Sequence, residues 1–137
     1  MMRELARDEI DAILDANVVG RIGCHAEGRT YVVPIIYARD GASVYVATVE
    51  GRKVRMMRAN PEVCFEVDEY PGPGGWRSVI ADATYVELDE DGSRHALALL
   101  ARRFGREPGT GRRPAPGRAT VCFRLDLRQP TGRAVRR

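Results

Sequence analysis

The sequence predicts a mainly β fold, a six-stranded antiparallel barrel with short α-helices at its turns, and three observations predict it. Six stretches, residues 18–24, 30–37, 43–48, 62–68, 76–88 and 121–127, carry apolar side chains in period two or as short apolar runs. Turn-forming residues separate them, and only short segments between them repeat at helical spacing. The 137 residues, 44% hydrophobic and 30% charged, suffice for one core and hardly for two, so residues 1–137 read as one domain.

The first element is a helix over residues 8–16. Ile10, Ile13 and Leu14 mark one face, Asp8 and Glu9 suit its N-terminus, and Asn17 ends it. The period then changes to two: Val18, Ile22 and Cys24 alternate with Val19, Arg21 and Gly23. A turn at Glu27-Gly28 leads into residues 30–37, a run apolar on both faces that predicts a central strand buried on both. Pro34 inside this run removes a ladder donor, which implies an edge or an irregularity there. Asp40-Gly41 is a hairpin signal before the strand of residues 43–48.

A short helix over residues 52–59 follows, and Asn60-Pro61 stops it because the residue before proline avoids the α region. Residues 62–68 alternate as a strand, residues 70–75 form a Pro/Gly-rich loop, and a long strand covers residues 76–88. Asp89 to Gly92 opens a helix with Ala96, Leu97, Leu100 and Phe104 on one side and Gly105 at its C-terminal cap. Residues 106–118, rich in Gly, Pro and Arg, read as a flexible loop. Val121, Phe123, Leu125 and Leu127 mark the last strand, and residues 131–137 read as a tail.

Several function classes are excluded early. No apolar run approaches the roughly 18–20 residues of a bilayer span, and residues 1–8 contain no apolar signal core. The expectation is a cytoplasmic protein with no membrane partner. Cys24, Cys64 and Cys122 form no CxxC pair, and each sits in an apolar run, so each reads as a small buried hydrophobe and no metal site is expected. The net charge of +3 comes with arginines spread over helix ends, a loop and the tail, which argues against a nucleic-acid partner. His25 and His95 read as surface residues. No Ser-His-Asp set and no Walker or Rossmann glycine motif is present. Redox chemistry by a bound organic cofactor stays open, since there the protein need only position the reacting group.

The most informative segment is Thr48-Val49-Glu50-Gly51-Arg52-Lys53-Val54-Arg55. A strand ends, a glycine turns the chain, and a helix begins with two cations that face the positive end of its own dipole. A bound phosphate would compensate, held by free N–H groups, the dipole and both side chains. The plainer reading is that Glu50 pairs with one cation and water serves the other. Trp76, the single tryptophan, opens the long strand and is followed by Arg77 and Ser78. It reads either as a core or interface residue or as the wall of a cofactor site with Arg77 or Ser78 supplying polar contacts.

Taken in order, these pieces resemble the pyridoxamine 5′-phosphate oxidase-like superfamily of FMN-binding split barrels, closest to its short, nitroimidazole-resistance-type members. The resemblance runs from residues 9–14 and 19–23 through Val33-Pro34-Ile35, Asp40-Gly41 and Val44-Tyr45-Val46. It is strongest at Gly51-Arg52-Lys53, continues through Met57, Ala59-Asn60-Pro61 and Val63-Cys64-Phe65 to Trp76 and Ser78-Val79, and closes at Thr131-Gly132-Arg133.

The resemblance implies FMN held between the subunits of a homodimer. Gly51, Arg52 and Lys53 would hold the phosphate, Val33, Pro34 and Ile35 would present backbone to the isoalloxazine, and Ala47 and Thr48 would line the phosphate–ribityl side. Trp76, Arg77 and Ser78 would complete the site, from the same subunit or from the other. The implied activity is a flavin-dependent oxidoreductase acting on a small organic acceptor, with no catalytic acid or base identified. A deazaflavin cofactor on the same fold, and a non-catalytic flavin-binding or sensor role, are the alternatives. Two features depart from relatives: Val46-Ala47 stands where nitroimidazole-type relatives often carry a histidine, and the C-terminal Arg-x-His element of true pyridoxamine-phosphate oxidases is lacking.

Overall fold

The computed structural model describes residues 1–105 and 119–136. The segment expected as a flexible loop, residues 106–118, lies outside the described residues. The chain order is β1 (Met2–Glu4), α1 (Arg7–Ala16), β2 (Val19–Ala26), β3 (Arg29–Ile36), β4 (Ala38–Asp40), β5 (Ser43–Val49), α2 (Arg52–Ala59), β6 (Glu62–Gly72), β7 (Gly75–Glu87), α3 (Glu90–Phe104) and β8 (Thr120–Arg136). The strands lie in the order β3-β2-β6-β7-β8-β5-β4, all antiparallel, with β1 added to the end of β8.

The two rims of this sheet, β3 and β4, are consecutive in the chain. A single residue, Tyr37, carries the backbone from one rim to the other, and this curls the sheet into a barrel. Tyr37 is 1% exposed. Its hydroxyl donates to the Leu14 carbonyl at 2.7 Å, its N–H donates to the Val18 carbonyl at 3.0 Å, and its ring stands edge-on to Phe65 at 5.1 Å. Buried polar groups need such partners. The inward residues alternate along each strand as period two requires: Ile22, Val44, Val46, Phe65, Val67, Val79, Phe123 and Leu125 fill the interior. Gly20 makes room for this filling, because a Cβ there would meet the Phe65 ring at 2.5 Å.

Several expectations are corrected. Among the described residues the sheet has eight strands where six were expected. β1 is only three residues long, too short to show a period. The tail is strand: β8 continues to Arg136 and pairs with β7 and β1. The expected loop at residues 70–75 is mostly strand, with a tight turn at Pro73-Gly74 where Gly74 adopts φ 81°. On α3 the buried residues are Ala96 and Ala101, whereas Leu97 and Phe104 are each 38% exposed, so its inner face is turned from the one the apolar spacing suggested.

β3 is a rim strand, which accommodates Pro34 without a lost ladder bond at the sheet centre. Its second face is not covered within the chain: Val32 is 61% and Ile36 55% exposed. Cys64 is exposed too, on the outward side of β6, unlike the buried Cys24 and Cys122.

Candidate functional site

The turn from β5 into α2 is built differently from the start of the other helices. α1 begins with Asp8 and Glu9 in its first turn, and Glu9 accepts the Ala6 N–H at 3.1 Å. α2 has Gly51 at its N-cap, no side-chain cap and no acidic residue in its first turn. The first N–H groups of a helix have no partner inside it, and among the described residues no side chain caps them here, next to two cations. Among the described residues a Cβ on Gly51 would meet only the Val49 carbonyl, at 3.8 Å.

Glu50 does not answer these cations. Its carboxylate pairs with Arg58 in the last turn of α2, and Arg58 also binds Glu87 at 2.7 and 2.9 Å. Lys53 is half-buried and has no hydrogen bond or ion pair among the described residues. Burial pushes its pKa down. A desolvated ammonium without a counter-charge is costly, and an anion placed there would restore the lost solvation.

The helix start and β3, read separately from the sequence, meet in the fold. The Arg52 guanidinium lies 4.2 Å over the centre of the Tyr31 ring. Tyr31, Val33 and Ile35 face inward on β3, while Pro34 faces outward opposite Arg21 of β2. The rim strand is paired on one side only, so the backbone around Val33, Pro34 and Ile35 borders the same corner as Arg52. On β5, Thr48 shares the parity of the buried Val44 and Val46 and so the inner side, while Ala47 shares that of Tyr45, which packs against His95 of α3. Of the predicted β5 pair, Thr48 is the member on the inner side.

The β7 residues are not brought to this corner within one chain. Trp76 and Ser78 alternate with the buried Val79 and lie on the outer side, and β7 is separated from β3 by β2 and β6. Three strand spacings of about 4.8 Å put these strands roughly 14 Å apart. Arg77 falls on the opposite face from Trp76 and Ser78 and pairs with Glu69, which argues against its expected role beside them.

The sequence reading missed one cluster on the outer face. Arg21 Nη1 stands 3.3 Å from both Glu66 and Asp68, two carboxylates on one side of β6 sharing one cation. Burial, and then the neighbouring Asp68, push Glu66 up to about 7, against the opposing pull of Arg21. The alternation of β6 could have placed both carboxylates on one face, but Arg21 reaches them only through the β2–β6 register. Around them lie exposed apolar residues: Val19, Val32, Ile36 and Ile80. A groove of about 390 Å³ opens elsewhere, between α1, β4 and α3. Its Arg39 is held by Asp15 at 2.8 Å, and it contains none of the predicted site residues. Among the described residues no group of acids, cysteines and histidines could hold a metal ion, and no helix is long and apolar enough to cross a membrane.

The curled antiparallel sheet, with a basic strand-to-helix turn between β5 and α2, defines a split barrel. The family model described as pyridoxamine 5′-phosphate oxidase matches residues 6–134, and the chain belongs to that family of split barrels. It is 31% identical to an uncharacterized protein of Rhizobium meliloti (strain 1021), over 98% of this chain and 95% of that one. A solved FAD-binding protein of Mesorhizobium loti is 34% identical with a TM-score of 0.79, covering 100% of this chain and 98% of the other. A candidate 5-nitroimidazole antibiotic resistance protein of Bacteroides thetaiotaomicron, 20% identical over 98% of this chain and 89% of the other, shares the fold with a TM-score of 0.78.

Proposed function

We propose that this chain is a flavin-binding protein that holds the FMN portion of its cofactor by the phosphate at Gly51, Arg52 and Lys53. The observation that carries the reading is the half-buried Lys53, without a partner among the described residues, beside helix N–H groups that no side chain caps. The donor set fits a phosphate: Lys53 would act as a point charge, the N–H groups of the first turn as directed donors, and Arg52 as a cation steadied by Tyr31. The one-sided backbone of β3 at Val33, Pro34 and Ile35 would flank the ring system, with Thr48 beside the phosphate–ribityl chain. That the similar Mesorhizobium loti protein is an FAD-binding protein supports a flavin in this fold.

A bound flavin supplies two-electron redox chemistry, which makes a cytoplasmic oxidoreductase acting on a small organic acceptor the activity we favour. The chain's own part is to bind, orient and shield the cofactor. The site is completed by a second copy. Val19, Val32, Ile36 and Ile80 form an exposed apolar face of the kind that marks an interface. Trp76 and Ser78, which one chain leaves remote from its own Arg52, lie on that same face and would reach the site of the partner.

Absorbance and mass spectrometry of the ligand that copurifies test the cofactor, and sedimentation tests the dimer. The expected result is a yellow dimer. A colourless protein that takes up no added FMN or FAD would remove the reading.

A further inference from the structure

The outer face that would receive a second copy is not uniformly apolar. Among its exposed residues Val19, Val32, Ile36 and Ile80 lies a charged centre. Arg21 of β2 stands opposite Pro34 on one side and Glu66 on the other, and Glu66 stands opposite Ile80. One guanidinium nitrogen of Arg21 lies 3.3 Å from Glu66 and 3.3 Å from Asp68. Two carboxylates on one cation leave one negative charge over.

The neighbouring strands do not cancel this surplus. Along β6 the next outward residue is Cys64, opposite Gly23 on β2 and Asp82 on β7, so the next charge is a further acid. His25, further along β2, is hydrogen-bonded to Thr30 at 2.9 Å. On β8, Thr131 stands opposite Ile80, Arg133 opposite Ser78, and Arg128 opposite Asp82. Arg128 is held by Glu62. The outward residues of β3, Thr30, Val32, Pro34 and Ile36, carry no charge. Of the charged groups on this face, only Asp68 and Arg21 act on Glu66.

Water solvates the surplus while the face is open. A two-fold contact takes that water away, because it lays the patch of one copy on the same patch of another and buries two surplus charges together. An uncompensated carboxylate out of water is costly, and it escapes the cost by taking up a proton. Glu66 is prepared for this step. It is already half-buried in the single chain, and burial, then Asp68, raise its pKa to about 7 against the pull of Arg21. A second copy adds burial and like charge, and both act in the same direction.

We infer that self-association through this face takes up protons at the Glu66–Asp68 pairs, so that acid favours the dimer and rising pH releases it. The dimer binds more protons than two separate chains, which fixes the sign. The inference rests on the dimer reading above and adds regulation to it: a site completed by the second copy would then hold its flavin less well at alkaline pH.

The test is sedimentation velocity of the purified full-length protein over a dilution series at pH 6 and pH 8.5, at one ionic strength. The dimer dissociation constant is expected to be about 10-fold lower at pH 6. Glu66→Gln, which stands in for the protonated acid, should give the tight constant at both pH values. Asp68→Asn leaves Glu66 paired one-to-one with Arg21 and should tighten the dimer at pH 8.5. Equal constants at the two pH values in the unaltered protein, or a pH dependence that survives in Glu66→Gln, would overturn the proton uptake and leave the dimer intact. Tighter association at pH 8.5 would overturn it too, because a cation of the second copy would then be answering the carboxylates. A monomer at every pH and concentration would remove the dimer reading as well.

Discussion

The N-termini of α2 and α3 solve the same physical problem in opposite ways. α3 closes its own end: Asp89 accepts the Gly92 N–H at 2.8 Å, and Glu90 and Asp91 place negative charge in the first turn. α2 does the reverse, with glycine at the cap, no acid in the first turn, and Arg52 and Lys53 where acids would stabilise it. The one acid next to it, Glu50, is taken by Arg58. Among the described residues the start of α2 is therefore left without a cap or a counter-charge, and the proposed flavin phosphate would supply both.

The sharpest way to break this comparison is to remove the buried cation. Lys53→Ala is expected to weaken flavin binding by about 1.5–3 kcal/mol, the range of a charge-assisted hydrogen bond. It should leave the melting temperature of the flavin-free protein unchanged or raise it, since a desolvated charge is gone. Unchanged affinity in a flavin titration would take Lys53 out of the site. Asp89→Ala is the matching change at the other helix. It should cost about 1 kcal/mol in urea unfolding and leave flavin affinity as it was.

Giving α2 the cap it lacks is a subtler exchange. Gly51 has extended backbone that any residue can adopt, with φ −175°. Gly51→Asp should therefore raise the unfolding free energy of the flavin-free protein by about 0.5–1 kcal/mol. The same carboxylate should repel the cofactor phosphate, so stability and affinity move in opposite directions. If both rose, the turn would not be an anion site.

The smallest expected effect concerns the outer face. Glu66, held up to about 7 by burial and by Asp68, has a folded-state pKa above its ordinary value. The native state therefore binds more protons than the unfolded chain between roughly pH 4.5 and 7. This group's contribution to stability is complete below that window and is lost as the pH rises through it. Urea midpoints at pH 5 and pH 8 should differ less in Glu66→Gln than in the unaltered protein, and an equal difference in both would assign the pH response elsewhere.

Local signals made the candidate helix legible. Gly51 and Asn60-Pro61 bracket α2, and its bounds, Arg52–Ala59, are those the sequence predicts. Alternation likewise predicts a strand over residues 62–68, and Val63, Phe65 and Val67 are its inward residues. The failures are where chemistry depends on distant pairing. Gln129-Pro130 and Gly132 look like breakers, yet β8 runs through them because β7 and β1 supply partners. Arg77 is adjacent to Trp76 and Ser78 in sequence, and period two sets it on the other face of β7. The stacking of Arg52 on Tyr31 and the sharing of Arg21 by Glu66 and Asp68 join residues 21 and about 45 positions apart. No local pattern carries them.

The crossing at Tyr37 has a further consequence. Because one residue spans the two rims, the connection has no slack, and β4 beyond it is three residues long. Deleting or inserting a residue here would invert the pleat of β4 against β5, turning Ala38 out and Arg39 in. Variation in chain length among related proteins should therefore avoid this junction and collect at turns such as Glu27-Gly28, where the backbone is free to lengthen.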